Sequence, residues 1–136
     1  MDERDDDEAL FRLLSYHRRR YWLANGWCIR FWVKQLPPSE VRPQGFKYSF
    51  MLHDVDMTRL LGIDNAHGLP RRVLFDHQHR FRRTEEMIPY TYQGADVLIG
   101  DFFDAVERAF RQKGVEFSFD DREIELEDDD GEEISE

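Results

Sequence analysis

The chain has 136 residues and 40% hydrophobic content, enough for one compact domain with one core and too little for two. Its formal charge of −10, from 29 acidic and 19 basic residues, argues at face value against a nucleic-acid binder. That average hides a partition: residues 1–8 carry six acids and one Arg, residues 120–136 carry eleven acids and one Arg, and residues 9–119 hold 12 acids and 17 bases, a net of +5.

The expected organisation is an acidic flexible N-terminus over 1–9, a single α+β domain over 10–119 and an acidic, largely disordered tail over 120–136. No apolar run approaches the roughly 18 residues of a membrane span, and Met1 to Glu8 lacks the basic-then-apolar pattern of a signal peptide, so a cytoplasmic protein without a membrane partner is expected. Cys28 is the only cysteine and sits between Trp27 and Ile29, which excludes an intrachain disulfide and points to plain packing. Arginine outnumbers lysine 16 to 3, a bias toward the rigid fork that grips phosphates and carboxylates.

Glu8 to Leu14 reads as a short helix or as an extension of the strand that follows it. Asn25-Gly26 lies between two aromatic and β-branched runs, so strands near 16–23 and 27–35 are expected around a type I′ turn. Alternation along His17-Arg18-Arg19-Arg20 would send Arg18 and Arg20 to one face beside Tyr16, and His17 and Arg19 to the other. Pro37 and Pro38 end the second strand. Phe46 to His53 alternates as a third strand with Phe46, Tyr48 and Phe50 on one face, Asp54-Val55-Asp56 reads as a turn, and Met57 to Ile63 as a fourth strand or one helical turn.

Residues 65–72 read as an irregular loop, followed by a short segment, Val73 to Phe75. The clearest helix spans about Ala95 to Lys113, with Val97, Leu98, Phe102, Ala105, Val106 and Ala109 at helical spacing and Gly114 as its C-cap. Val115 to Phe119 and Arg122 to Leu126 read as short strands. The sum is an α+β fold, an antiparallel meander of about four to six strands packed against one long C-terminal helix.

Four of the five histidines, His53, His67, His77 and His79, lie between residues 53 and 79. On an extended backbone, residues two apart share one face about 6.5–7 Å from each other, so His77 and His79 can serve one phosphate or one metal. Arg71, Arg72, Arg80, Arg82 and Arg83 surround them, with Phe75 and Phe81 interleaved, a composition suited to holding a phosphodiester and stacking a base. Equally, the phenylalanines can be core and the arginines partners of the acidic ends. Walker, dinucleotide-binding, nucleophile-elbow and His-Glu-x-x-His patterns are absent.

Asp64-Asn65-Ala66-x-Gly followed by Asp76-His77-Gln78-His79, and Leu98 to Glu107 with Asp101-Phe102 and Val106-Glu107, resembles the TumE-like toxin family of type II toxin–antitoxin systems over about residues 10 to 113. Gly62-Ile63 stands where that family commonly has an arginine and an aromatic residue. The resemblance implies a small cytosolic toxin paired with a helix-turn-helix antitoxin protein.

Such a toxin is expected to act on RNA as an endoribonuclease without a cofactor. His77 and His79 would be general base and acid, Asp64 would orient a histidine or the 2′-hydroxyl, and His67, Arg80, Arg82 and Arg83 would hold the scissile phosphate, with Asn65, Arg71 and Arg72 as further phosphate contacts. A metal-dependent variant makes Asp64, His67, His77 and His79 the ligands of zinc or manganese. A rival reading is a non-catalytic nucleic-acid- or partner-binding module that is toxic by sequestration, and a third is a structural partner protein; a homodimer is compatible with each. The tail from Asp120 onward is expected to fold over Arg80, Arg82 and Arg83 as a phosphate mimic.

Overall fold

The computed structural model describes residues 3–40, 44–65, 76–81, 83–121 and 124–127, with the side chains of 3–6 and 83–87 outside the description. In chain order the elements are α1 (Glu3–Ser15), β1 (Arg19–Trp22), β2 (Cys28–Gln35), β3 (Phe46–His53), β4 (Arg59–Asp64), β5 (His77–Arg80), β6 (Arg83–Pro89), α2 (Ala95–Lys113) and β7 (Glu125–Leu126). The strands form one antiparallel sheet in the order β6-β5-β4-β3-β2-β1-β7. The expected α+β single domain is what is seen, with seven strands instead of four to six and a second helix. No helix among the described residues is long and apolar enough to cross a membrane.

Period-two alternation gives the sheet two different faces. Toward the helices point Ile29, Phe31 and Val33 of β2, Phe46, Tyr48, Phe50 and Leu52 of β3, and Leu61 and Ile63 of β4, all buried in one apolar cluster. Against them α2 sets Leu98, Phe102, Val106, Ala109 and Phe110, and α1 sets Ala9 and Leu13. Phe31, Phe50 and Phe102 meet edge to face at 4.9–5.8 Å between centroids, a geometry that adds about 0.5–1.5 kcal/mol per pair to area burial. Gly114 closes α2 in the left-handed region at φ 79°. Val97, expected on the inner face, is 40% exposed, while Phe110 is buried instead.

The stretch expected to be a flexible acidic end is helical from Glu3. Ala9 and Leu13 lie four apart, so one helical face docks, and acidic residues at a helix N-terminus match its dipole. The first hairpin also differs in detail. Leu23 N bonds the Trp27 carbonyl and Asn25 Oδ1 accepts from Trp27 N, so Asn25-Gly26 sits in a three-residue loop, not a two-residue type I′ turn. Gly26, at φ 91°, also lets Val55 approach: a Cβ there would stand 2.9 Å from Val55 Cγ1.

The alternation expected along 17–20 fails because Arg18 adopts φ 73° and the strand begins only at Arg19. Arg19 therefore joins Tyr16, 5.0 Å above its ring, and Tyr21, whose hydroxyl accepts its Nη1. Residues 115–119 contribute one isolated bridge, Leu23 to Phe119, and β7 falls inside the expected 122–126 strand. The 73–75 segment and residues 128–136 lie outside the described residues.

Candidate metal centre

The face of the sheet away from the helices carries the chemistry. Directly paired residues share a face, so register alone builds two adjacent rows across the strands. One runs Trp32, Ser49, Asp64, His77 and the next runs Arg20, Arg30, Met51, Gly62, His79. Asp64 ends β4 opposite His77, and His79 lies diagonally beside it. His77 Nε2 stands 3.0 Å from Asp64 Oδ1, and His79 Nε2 stands 3.5 Å from Oδ2. The imidazoles meet edge to face at 5.1 Å between centroids, and the three donor atoms lie within 4.8 Å of one another.

All three side chains are buried, at 0–2% exposure. A buried carboxylate calls for a positive partner, because desolvation penalises it heavily. The two imidazoles supply one in two ways, by taking up a proton or by holding a dication jointly with Asp64. Two neutral nitrogens and one carboxylate oxygen from a rigid strand pair form a donor set of the kind that binds a divalent transition metal with a position left open. This group can therefore hold a metal, and the residues fit one.

The neighbours tune the site. Ser49, paired with Asp64, and Trp32, paired with Ser49, bury a hydroxyl and an indole N–H that find no hydrogen-bond partner among the described residues. Gly62, paired with His79, leaves no room for a side chain: a Cβ would stand 3.0 Å from the Phe50 carbonyl oxygen. Neither Ser49 nor Trp32 is suggested by motif, but both are legible from a correct register.

His53, two residues beyond Met51 on this face, is also buried. Burial, and then the charges of Arg30 and Arg59, lower its pKa to about 4. Neighbouring Cys28 is fully buried, and burial raises its thiol, as suits a packing residue.

Two flanking residues secure the strand ends. Asn65 Oδ1 accepts from Tyr48 N, and Asn65 Nδ2 donates to the Phe46 carbonyl. Its amide thus extends the β3–β4 ladder, a structural use in place of the phosphate contact expected of it. Asp76 accepts from the Tyr48 hydroxyl at 2.7 Å and from Gln44 Nε2 at 3.0 Å. Burial, reinforced by Asp76, raises the Tyr48 hydroxyl far above its ordinary range and keeps it a donor.

Of the residues expected in the site, Asp64, His77 and His79 come together. Arg80 does not. It alternates with His79 along β5, and it lines a cavity of about 510 Å³ between the sheet and α2 whose wall also includes Gln78, His79, Arg108 and Gln112. His67, Arg71, Arg72 and Arg82 lie outside the described residues, as does the side chain of Arg83, whose backbone pairs with Arg80.

The tail also departs from expectation. Its described part pairs with β1, at the opposite edge from β5 and β6, and Glu127 binds Arg30 and Arg20 instead of Arg80. No family model matches the chain, and neither a curated protein nor a solved structure matches it.

Proposed function

We propose that the protein is the toxin of a toxin–antitoxin pair and cleaves RNA with a divalent metal held by Asp64, His77 and His79. The convergence of two imidazole nitrogens on one carboxylate across the β4–β5 ladder carries the reading. It favours the metal-dependent route over acid–base catalysis by free imidazoles. A general base must be free to take the proton it removes, whereas two imidazole nitrogens turned onto one buried carboxylate are placed as joint ligands of an ion. When bound, the ion would act as a Lewis acid on a phosphodiester oxygen.

The chain's own residues do the rest. Pairing of β4 with β5 fixes the donor atoms before any ligand arrives, Asp64 supplies the negative charge that a dication requires, and Ser49, paired with Asp64, brings a buried hydroxyl into the same row. The proposed partners are RNA and a helix-turn-helix antitoxin, and the proposed compartment is the cytoplasm.

The same burial favours a second reading, in which the ion only rivets β4 to β5 and toxicity comes from binding nucleic acid without cutting it. Growth inhibition and RNA cleavage by the full-length protein, each with and without chelator, separate them. Metal-restored cleavage that His77→Ala and His79→Ala both abolish supports the first. Toxicity and RNA binding that survive chelation, with no cleavage products, support the second. Wild-type toxicity and full metal binding in the double His variant would overturn both.

A further inference from the structure

On the metal-site face, two strands away from Asp64, sits a second arrangement of charge. Arg20 and Arg30 are directly paired across β1 and β2, which places two guanidinium groups side by side on one face. Like charges opposed in this way repel, and an anion between them relieves the repulsion. The anion is the chain's own Glu127. Arg30 meets it bidentately, Nε to Oε1 and Nη2 to Oε2 each at 2.6 Å, and Arg20 Nη2 reaches Oε1 at 3.3 Å. Burial alone would push the Glu127 carboxyl up, but the hydrogen bond and charge of Arg30, then those of Arg20, hold it below its ordinary range.

Apart from the Glu127 carboxylate itself, the segment that carries it has a short backbone pairing. The β7 strand has two residues, both exposed, and pairs with β1 at Arg19–Leu126 and Arg20–Glu125. Further anchors are the Trp22 indole N–H on Glu125 at 3.0 Å, Arg20 Nη1 at 4.0 Å from Glu125 Oε1, and the Glu127 N–H on the Arg18 carbonyl, beside the Glu127 contacts with the two arginines. Two-residue edge strands contribute little stability of their own and open at the low end of a protein's free-energy range.

We infer that Arg20 and Arg30 form a binding subsite for a phosphate of a single-stranded RNA, and that Glu127 occupies it as a tethered carboxylate competitor. Bidentate arginine suits carboxylate and phosphate oxygens alike, so one can replace the other without rearrangement of the fork. The subsite shares the Arg20–Arg30–Met51–Gly62–His79 row with the metal centre. Three strand spacings separate Arg30 from His79, about 14 Å. Trp22, under the Arg20 guanidinium at 5.6 Å, adds an aromatic surface beside the subsite. A tether holds the carboxylate at an effective concentration in the millimolar range, so RNA phosphate must outcompete it and affinity stays low until β7 releases. The inference rests on the proposed action on RNA for its ligand, but not on the metal.

The test measures binding of a fluorescent hexauridylate to the full-length protein at low salt in EDTA, so that no cleavage intervenes. Glu127→Gln keeps the size of the side chain and removes its charge, and affinity is expected to rise at least tenfold. Adding Arg30→Gln in that background is expected to abolish the gain. Glu125→Pro, at the hydrogen-bonded position of the β7 ladder, breaks that ladder but keeps Arg20, Arg30 and Glu127, so it is expected to raise affinity as well and serves where Glu127→Gln folds poorly. Native affinity in both Glu127→Gln and Glu125→Pro, or a gain that survives Arg30→Gln, would overturn the inference. Failure here with metal binding intact leaves the proposed function standing, and loss of the metal site with the Glu127→Gln gain intact leaves this subsite standing.

Discussion

The two faces of one sheet are buried for opposite reasons. Toward α1 and α2 the strands offer Phe31, Phe50, Leu61 and Ile63, and burial there is favourable residue by residue, at roughly 1.5–3 kcal/mol for each large apolar side chain. On the other face the same strands bury Ser49, His53, Asp64, His77 and His79, each of which loses solvation. The helix face holds the fold, and the polar face uses that stability to keep costly groups in fixed positions. A protein of this size has little surplus, so such a set of buried polar groups marks where function is to be sought.

Substitutions can separate the faces. Phe102→Ala removes the aromatic that joins α2 to Phe31 and Phe50, and is expected to cost about 3–5 kcal/mol in denaturant unfolding while the folded fraction keeps its metal affinity. A loss below 1 kcal/mol would mean that the helix face is not the source of stability.

On the polar face, His53 predicts a pH effect. Its folded pKa, about 4, lies below the ordinary 6.5, so the unfolded chain takes up more protons between these values. Stability is full above pH 6.5 and falls as pH drops toward 4, by up to roughly 3 kcal/mol. Urea melts across that range should show the slope, and His53→Gln should flatten it. An unchanged slope in the variant would place the titration elsewhere.

Gly62→Ala presses a methyl on the Phe50 carbonyl beside His79 and is expected to cost about 1–2 kcal/mol, read in the same melts. Smallest of all is Arg12→Ala. The Arg12–Asp96 pair that bridges α1 and α2 is 57% exposed on both sides, so its removal should change stability by ~0.5 kcal/mol or less.

What could be read from the chain follows the range of the forces involved. Phe46 to His53 alternates over eight residues, and Ala95 to Lys113 carries both an apolar stripe and a terminal glycine, so both elements are local and both are found where expected. The acidic start of α1 hides a helix because a run of charge suggests a solvated end, although Ala9 and Leu13 carry the spacing of a docking face. Arg18 broke the expected phase through a left-handed backbone that no side-chain pattern announces.

The same distinction holds in the site. His77 and His79 on one face followed from their spacing, and alternation would equally have put Arg80 on the other. Asp64 joins them only through the β4–β5 register, and Ser49 only through β3–β4. Glu127 is 97 residues from Arg30, and nothing local in either stretch points to the other.

The most direct test of the metal centre is calorimetric titration of the full-length, chelator-stripped protein with Zn²⁺ and Mn²⁺, followed by a thermal melt. One ion per chain is expected, with a raised Tm, and affinity at least a hundredfold weaker in Asp64→Asn, His77→Ala and His79→Ala. Absence of binding by the native protein, or undiminished binding by all three variants, would contradict it.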